Sequence, residues 1–113
     1  MVKFEDIAYL RHIVESATNV ESFLGRIRRD DFYKDRLIQN GFIRELEIIG
    51  EAARKISNET RTRFPEIPWE QIFGMRNRLV HDYLGVDLEI VWNTSEKFVP
   101  ELLKKIKEVL KES

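Results

Sequence analysis

Cysteine is absent from the chain, which excludes disulfides, thiolate nucleophiles, zinc ribbons and cysteine-ligated iron–sulfur clusters. Histidine is nearly absent: His12 and His81 are the only two, so imidazole chemistry has few places to sit. No stretch approaches the ~18 apolar residues of a membrane span. The opening MVKFEDIAYLRH lacks the uncharged apolar segment of a signal peptide. Proline (three) and glycine (five) are sparse, and no low-complexity tract, repeat or linker divides the chain. Neither charge sign dominates, since 19 Lys and Arg face 20 Asp and Glu for a formal charge of -1. That balance argues against a broadly basic nucleic-acid coat and against an acidic tail, while leaving room for a small local basic site. A cytoplasmic protein without membrane association is expected.

What is present is helical patterning. With 113 residues, 42% apolar and 35% charged, a single domain over residues 1–113 with its own core is expected. Ile7, Leu10, Val14, Ala17, Phe23/Leu24 and Ile27 recur at three and four, predicting an amphipathic helix near 4–28. Within it, Ser16, Thr18, Asn19 and Val20 have poor helix propensity, so a local irregularity is allowed there. Asp30-Asp31 offers an N-cap for a second, long helix near 32–58 with the stripe Leu37, Phe42, Leu46, Ile49, Ala53 and Ile56. After Pro65, Pro68 suits a first helical position. It opens a shorter third helix through Trp69, Ile72, Phe73, Leu79 and Val80, ending near His81–Gly85.

Asp87 then caps a fourth helix with the stripe Leu88, Val91/Trp92, Ser95, Phe98/Val99, Leu102, Ile106 and Val109/Leu110. Pro100 interrupts it by removing the backbone bond to Glu96, and a kink is expected there. No alternating strand pattern competes. The fold class is all-α, an antiparallel four-helix bundle.

The densest polar constellation is Arg76-Asn77-Arg78-Leu79-Val80-His81-Asp82-Tyr83, at the end of the third helix. On an ideal helix Asn77 and His81 lie within about 40° of each other, and Arg76 and Tyr83 within about 20°. Arg76 and His81 are about 140° apart. They can act together only if the helix unwinds at His81 or if another copy of the chain supplies the second residue. Spacing alone leaves two readings: a capped helix end with His81 near the last carbonyls, or a site.

Arg76-x-x-x-x-His81-x-Tyr83 resembles the R-x-x-x-x-H-x-Y signature of HEPN-domain proteins, specifically the HepT-like toxins. Glu47-Ile-Ile-Gly-Glu-Ala-Ala53 on the second helix, Ile67-Pro-Trp69 opening the third, and Asp87 with Trp92 after the motif are similar to the same family. These segments cover most of the chain in order. The resemblance implies a HEPN-like four-helix domain that acts as an RNA endonuclease, the toxin of a type VII-like toxin–antitoxin pair, usually encoded beside a minimal nucleotidyltransferase antitoxin. It implies a reaction needing no metal and no cofactor, in which the RNA 2′-hydroxyl attacks the adjacent phosphate to leave a 2′,3′-cyclic phosphate and a 5′-hydroxyl. Arg76 and His81 are then catalytic, and Tyr83 is the hydroxyl that the antitoxin modifies with AMP. A homodimer follows from the family's paired motifs at a dimer interface.

The residue types suit that chemistry. Histidine is the side chain whose ordinary pKa lies near neutrality, so His81 can serve as general base or acid. Arg76 stays cationic and can hold phosphate oxygens in a forked contact as charge builds on the phosphorane. Asn77 has two readings, a positioner of phosphate or imidazole and an ordinary surface residue. Tyr83 is either a packed ring at the rim of the site or the AMP acceptor, in which case added phosphate and bulk would close a cationic cleft. One chain supplies one motif histidine, so a second subunit is useful where both base and acid are needed. Trp69 and Phe73 are core aromatics or, near the motif, interface aromatics.

Other candidates carry less. Glu47 and Glu51, at i,i+4, lack a histidine at compatible spacing and read as solvated or arginine-paired. No metal site is expected. His12, beside Arg11 and Glu15, reads as a surface residue. Arg26, Arg28 and Arg29 form a basic run. Between residues 54 and 81, six basic side chains (Arg54, Lys55, Arg61, Arg63, Arg76, Arg78) face three acidic ones (Glu59, Glu66, Glu70), making this the best RNA track. Two other functions are consistent with the same bundle. One is a non-catalytic substrate- or nucleotide-binding subunit of a two-component nucleotidyltransferase. The other is a plain dimerisation scaffold.

Overall fold

A computed structural model describes residues 2–81 and 87–111 of the chain. The elements are α1 (Phe4–Arg26), α2 (Arg29–Lys34), α3 (Arg36–Lys55), α4 (Asn58–Arg63), α5 (Trp69–His81), α6 (Leu88–Asn93), a π-helical turn (Thr94–Phe98) and α7 (Val99–Lys111). No strand occurs among the described residues. The last three elements run on without a break, so four long arms form the all-α bundle expected. Among the described residues, no helix is long and apolar enough to cross a membrane.

The helix signals worked locally, with shifts in position. The long second arm starts at Arg36, not near residue 32, and is capped by Asp35, whose carboxylate accepts from Leu37 N at 2.9 Å and Ile38 N at 3.3 Å. Asp30 and Asp31 instead lie in the first turn of the short α2, where acidic side chains complement the helix dipole. The arm stops at Lys55, and Ser57 caps the additional short helix α4 by accepting from Thr60 N at 3.3 Å. Asp87 caps α6 as read from the sequence, accepting from Glu89 N and Ile90 N. Helix α1 continues unbroken through Ser16–Val20, because Ser16, Ala17 and Val20 are all buried there and packing outweighs weak propensity. Leu37, expected in the core stripe, is 80% exposed; it lies in the first turn of α3, ahead of the stretch that packs.

Ahead of Pro100, the fourth arm widens into the π turn, where Val99 N donates to the Thr94 carbonyl five residues back. The irregularity therefore begins before the position at which Pro100 withholds its N–H from Glu96.

The core is one cluster of apolar side chains drawn from all four arms. Leu10, Ile13, Ala17 and Val20 of α1 face Phe42, Leu46, Ile49 and Ala53 of α3, all fully buried. The two helices run antiparallel: Asn19 donates to Glu45 at 3.3 Å, while Phe23, farther along α1, stacks at 5.2 Å on Phe42, earlier in α3. Helix α1 also packs on α7, and α3 also packs on α5, giving the spatial order α5–α3–α1–α7. Phe32 of the short α2 is fully buried against Phe42 (5.0 Å) and Trp92 (5.3 Å), so this helix closes one end of the core.

At the other end, Asp6 is buried at 2% exposure. Its carboxylate accepts from Ser57 N (2.9 Å), Ser57 Oγ (2.6 Å) and Thr60 Oγ1 (2.5 Å), tying the start of α1 to the cap of α4. Burial pushes this carboxyl up, but the hydrogen bonds from Ser57 and Thr60 outweigh it and its pKa ends below the ordinary value.

Candidate active site

Helix α5 carries the motif, and its start is fixed by neighbouring backbone. Ile72 N bonds the Pro68 carbonyl at 3.1 Å, so Pro68 stands one position before the helix proper. Trp69 is buried and its indole Nε1 donates to the Phe64 carbonyl at 3.1 Å. Of the two readings for Trp69, the core one holds. Trp69, Ile72 and Met75 are the buried residues of this helix among those described, and α5 packs on α3.

The helix is regular through His81, so Arg76, Asn77 and His81 belong to one element. The side chains of Arg76, Arg78 and His81 lie outside the described residues, as does Tyr83 altogether. Asn77 is exposed. Its Oδ1 accepts from Arg54 Nη2, at the end of α3, across 3.3 Å.

One turn before Asn77, Phe73 is half-buried and carries two guanidinium groups. Arg54 stands 5.3 Å and Arg61 5.5 Å from its ring centroid, within the range of cation–π attraction. Arg61 arrives from α4, the helix that Ser57 caps and Asp6 anchors. Its Nε is buried without a hydrogen-bond partner among the described residues. Ion pairs join Lys3 to Glu59 and Lys111 to Glu108, and no ion pair among the described residues includes either arginine on Phe73.

The remaining sequence candidates are dispersed. Glu47 is half-buried and Glu51 exposed on α3. Among the described residues, no group of three or more His, Asp or Glu side chains gathers as metal ligands would. His12 is exposed on α1. Arg29 covers the Tyr33 ring at 5.7 Å, and Arg63 the Phe64 ring at 5.7 Å. Sequence reasoning counted Arg54 and Arg61 in a basic stretch but missed that both converge on Phe73. The available signal was the i,i+4 spacing of Phe73 and Asn77, which puts a ring and an amide on one exposed stripe beside the motif.

A family model described as ribonuclease HepT-like matches residues 13–109. A provisionally named RNase of Caldanaerobacter subterraneus subsp. tengcongensis is 41% identical over 102 residues, 90% of this chain and 91% of that protein. One from Methanocaldococcus jannaschii, also provisionally named an RNase, is 40% identical over 106 residues, 94% of this chain and 97% of its own length. A probable ribonuclease HepT of Thermococcus cleftensis is 40% identical over 103 residues, covering 91% and 94% respectively. No solved structure gives a significant match.

Proposed function

Because the chain belongs to the ribonuclease HepT-like family, we propose that it is a metal-independent endoribonuclease whose reacting groups are Arg76 and His81. The supporting observation is that positions 76 and 81 lie on one regular helix that runs to His81. With no unwinding before His81, positions 76 and 81 stand about 140° apart on the helix. A site built from both is then completed by a second copy of the chain, and a homodimer is part of the proposal.

In this reading the RNA 2′-hydroxyl loses its proton to a base and its oxygen bonds the adjacent phosphorus. The P–O5′ bond breaks, and an acid returns a proton to the leaving 5′-oxygen. His81 serves one of these proton transfers and its counterpart in the partner copy serves the other. Arg76 binds the phosphate oxygens as charge accumulates. Asn77 positions the phosphate. Tyr83, next to the pair in sequence, accepts AMP from a minimal nucleotidyltransferase antitoxin, and the added anion closes the cleft to RNA. The protein is thus the toxin of a two-component pair and works in the cytoplasm.

The test is incubation of purified protein with a panel of RNAs in excess chelator, followed by end-group analysis. Cleavage to 2′,3′-cyclic phosphate ends is expected. It should be lost in Arg76→Ala and in His81→Ala, with dimer and helical spectrum retained. Absence of cleavage by unmodified protein across the panel would transfer the assignment to a non-catalytic binding subunit.

A further inference from the structure

We propose that Arg54 and Arg61, held on the ring of Phe73, form a phosphate-binding clamp for single-stranded RNA, adjoining Asn77 but distinct from Arg76 and His81, which cut it. This rests on the ribonuclease reading and adds a substrate-holding site to it. The carrying observation is two like charges gathered on one ring, with no carboxylate among the described residues paired to either. Both guanidinium carbons lie within 5.5 Å of the Phe73 centroid. No ion pair among the described residues includes either arginine. Helices α3 and α4 therefore bring two cations to one ring of α5. A polyanionic strand passing over this surface meets both charges.

The geometry selects a phosphodiester. Guanidinium groups present planar forks of N–H donors that match phosphate oxygens. Arg54 spends one donor on Asn77 Oδ1, which orients the other guanidinium donors and also decides what Asn77 offers. With its oxygen engaged, the outward atom of the Asn77 amide is the nitrogen, a donor suited to an anion. The Phe73 ring lies two turns before His81, roughly 12 Å along the helix axis. The clamp thus holds a phosphate flanking the scissile one, and a single strand running along α5 would reach both. Because the overall charge is -1, such a local clamp is what lets a near-neutral protein grip RNA.

The test uses a 5′-labelled, fully 2′-O-methylated RNA oligonucleotide, which binds but lacks the attacking hydroxyl. Its affinity is measured by fluorescence anisotropy across a salt series. For Arg54→Gln/Arg61→Gln, affinity at low salt should fall at least tenfold. The slope of log K against log salt should flatten by about 0.7 for each phosphate no longer held. Arg54→Lys/Arg61→Lys should restore the slope and only part of the affinity, since charge returns without the planar fork. On cleavable RNA, the loss in the glutamine pair should fall on KM more than on kcat.

Wild-type affinity and slope in the glutamine pair would overturn the clamp, even if RNA is still cut. Binding with the expected slope changes but no cleavage by wild type would leave the clamp standing and remove the ribonuclease reading. Failure of the wild type to bind the oligonucleotide at any salt would overturn both.

Discussion

Replacing Asp6 is the sharpest perturbation of the fold, because one buried carboxylate holds two elements together. It receives three hydrogen bonds from Ser57 and Thr60. Hydrogen bonds to a charged group contribute about 1.5–3 kcal/mol each, whereas burying the charge offsets part of that gain. In Asp6→Ala the Ser57 and Thr60 hydroxyls keep each other as partners at 3.3 Å, which limits the loss. A destabilisation of about 2–3 kcal/mol remains, or a fall in Tm of about 8–12 °C for a chain of this length. Asp6→Asn keeps the shape and one acceptor and should lose about 1 kcal/mol.

The pH dependence separates charge from shape. The folded Asp6 carboxyl lies below its ordinary value of 3.8, so the unfolded chain takes up its proton first as pH falls. The stabilisation is therefore complete above about pH 4 and is lost as pH drops through the depressed folded value. Urea denaturation at pH 7 and at steps down to pH 3 should show the gap between wild type and Asp6→Asn shrinking below about pH 4. A gap that stays constant down to pH 3, or an Asp6→Ala variant within 0.5 kcal/mol of wild type (a threshold of about half the net value of one hydrogen bond), would refute the reasoning.

Other outcomes follow from individual contacts. Phe32→Ala removes the fully buried ring against Phe42 and Trp92 and should cost about 3–5 kcal/mol in urea denaturation. Gly41→Ala should stabilise α3 by about 0.5–1 kcal/mol, because its nearest new contact would be Phe23 at an ordinary 3.8 Å; a lower Tm would contradict this. Ser95→Ala should be neutral or slightly stabilising by thermal melting, since the Ser95 hydroxyl is buried without a partner. If the proposed nucleotidyltransferase antitoxin modifies Tyr83, Tyr83→Phe should retain RNA cleavage but escape its silencing, which mass spectrometry of the intact protein would read as absent AMP addition. Adenylylation and silencing of that variant would remove Tyr83 from its proposed role.

Much of this protein was legible along the chain because helices are local objects. The three-and-four recurrence of apolar residues marked all four arms, and the stripe Phe42, Leu46, Ile49, Ala53 and Ile56 is buried as read. Asp87 was readable as a cap because capping needs only the next three residues. The same local logic misjudged Asp30-Asp31 against Asp35, since several adjacent acidic residues compete and only the entry angle of the packed helix selects one. The motif from Arg76 to Tyr83 was legible because its order is written in one short segment of a family that covers most of the chain.

What the tertiary structure alone decided are contacts between residues far apart in sequence. An aspartate at position 6 reads as surface charge in any window of ten residues, yet it is buried because Ser57 and Thr60 arrive with three donors. Arg54 and Arg61 read as part of a basic stretch, and Phe73 as a core or interface aromatic. They become one cationic surface only where α3, α4 and α5 meet. Periodicity states which face of a helix is apolar, a property of one helix. Which charges share a ring, and which carboxylate finds donors, depends on how several helices are docked, and that is encoded in the packing of the whole core.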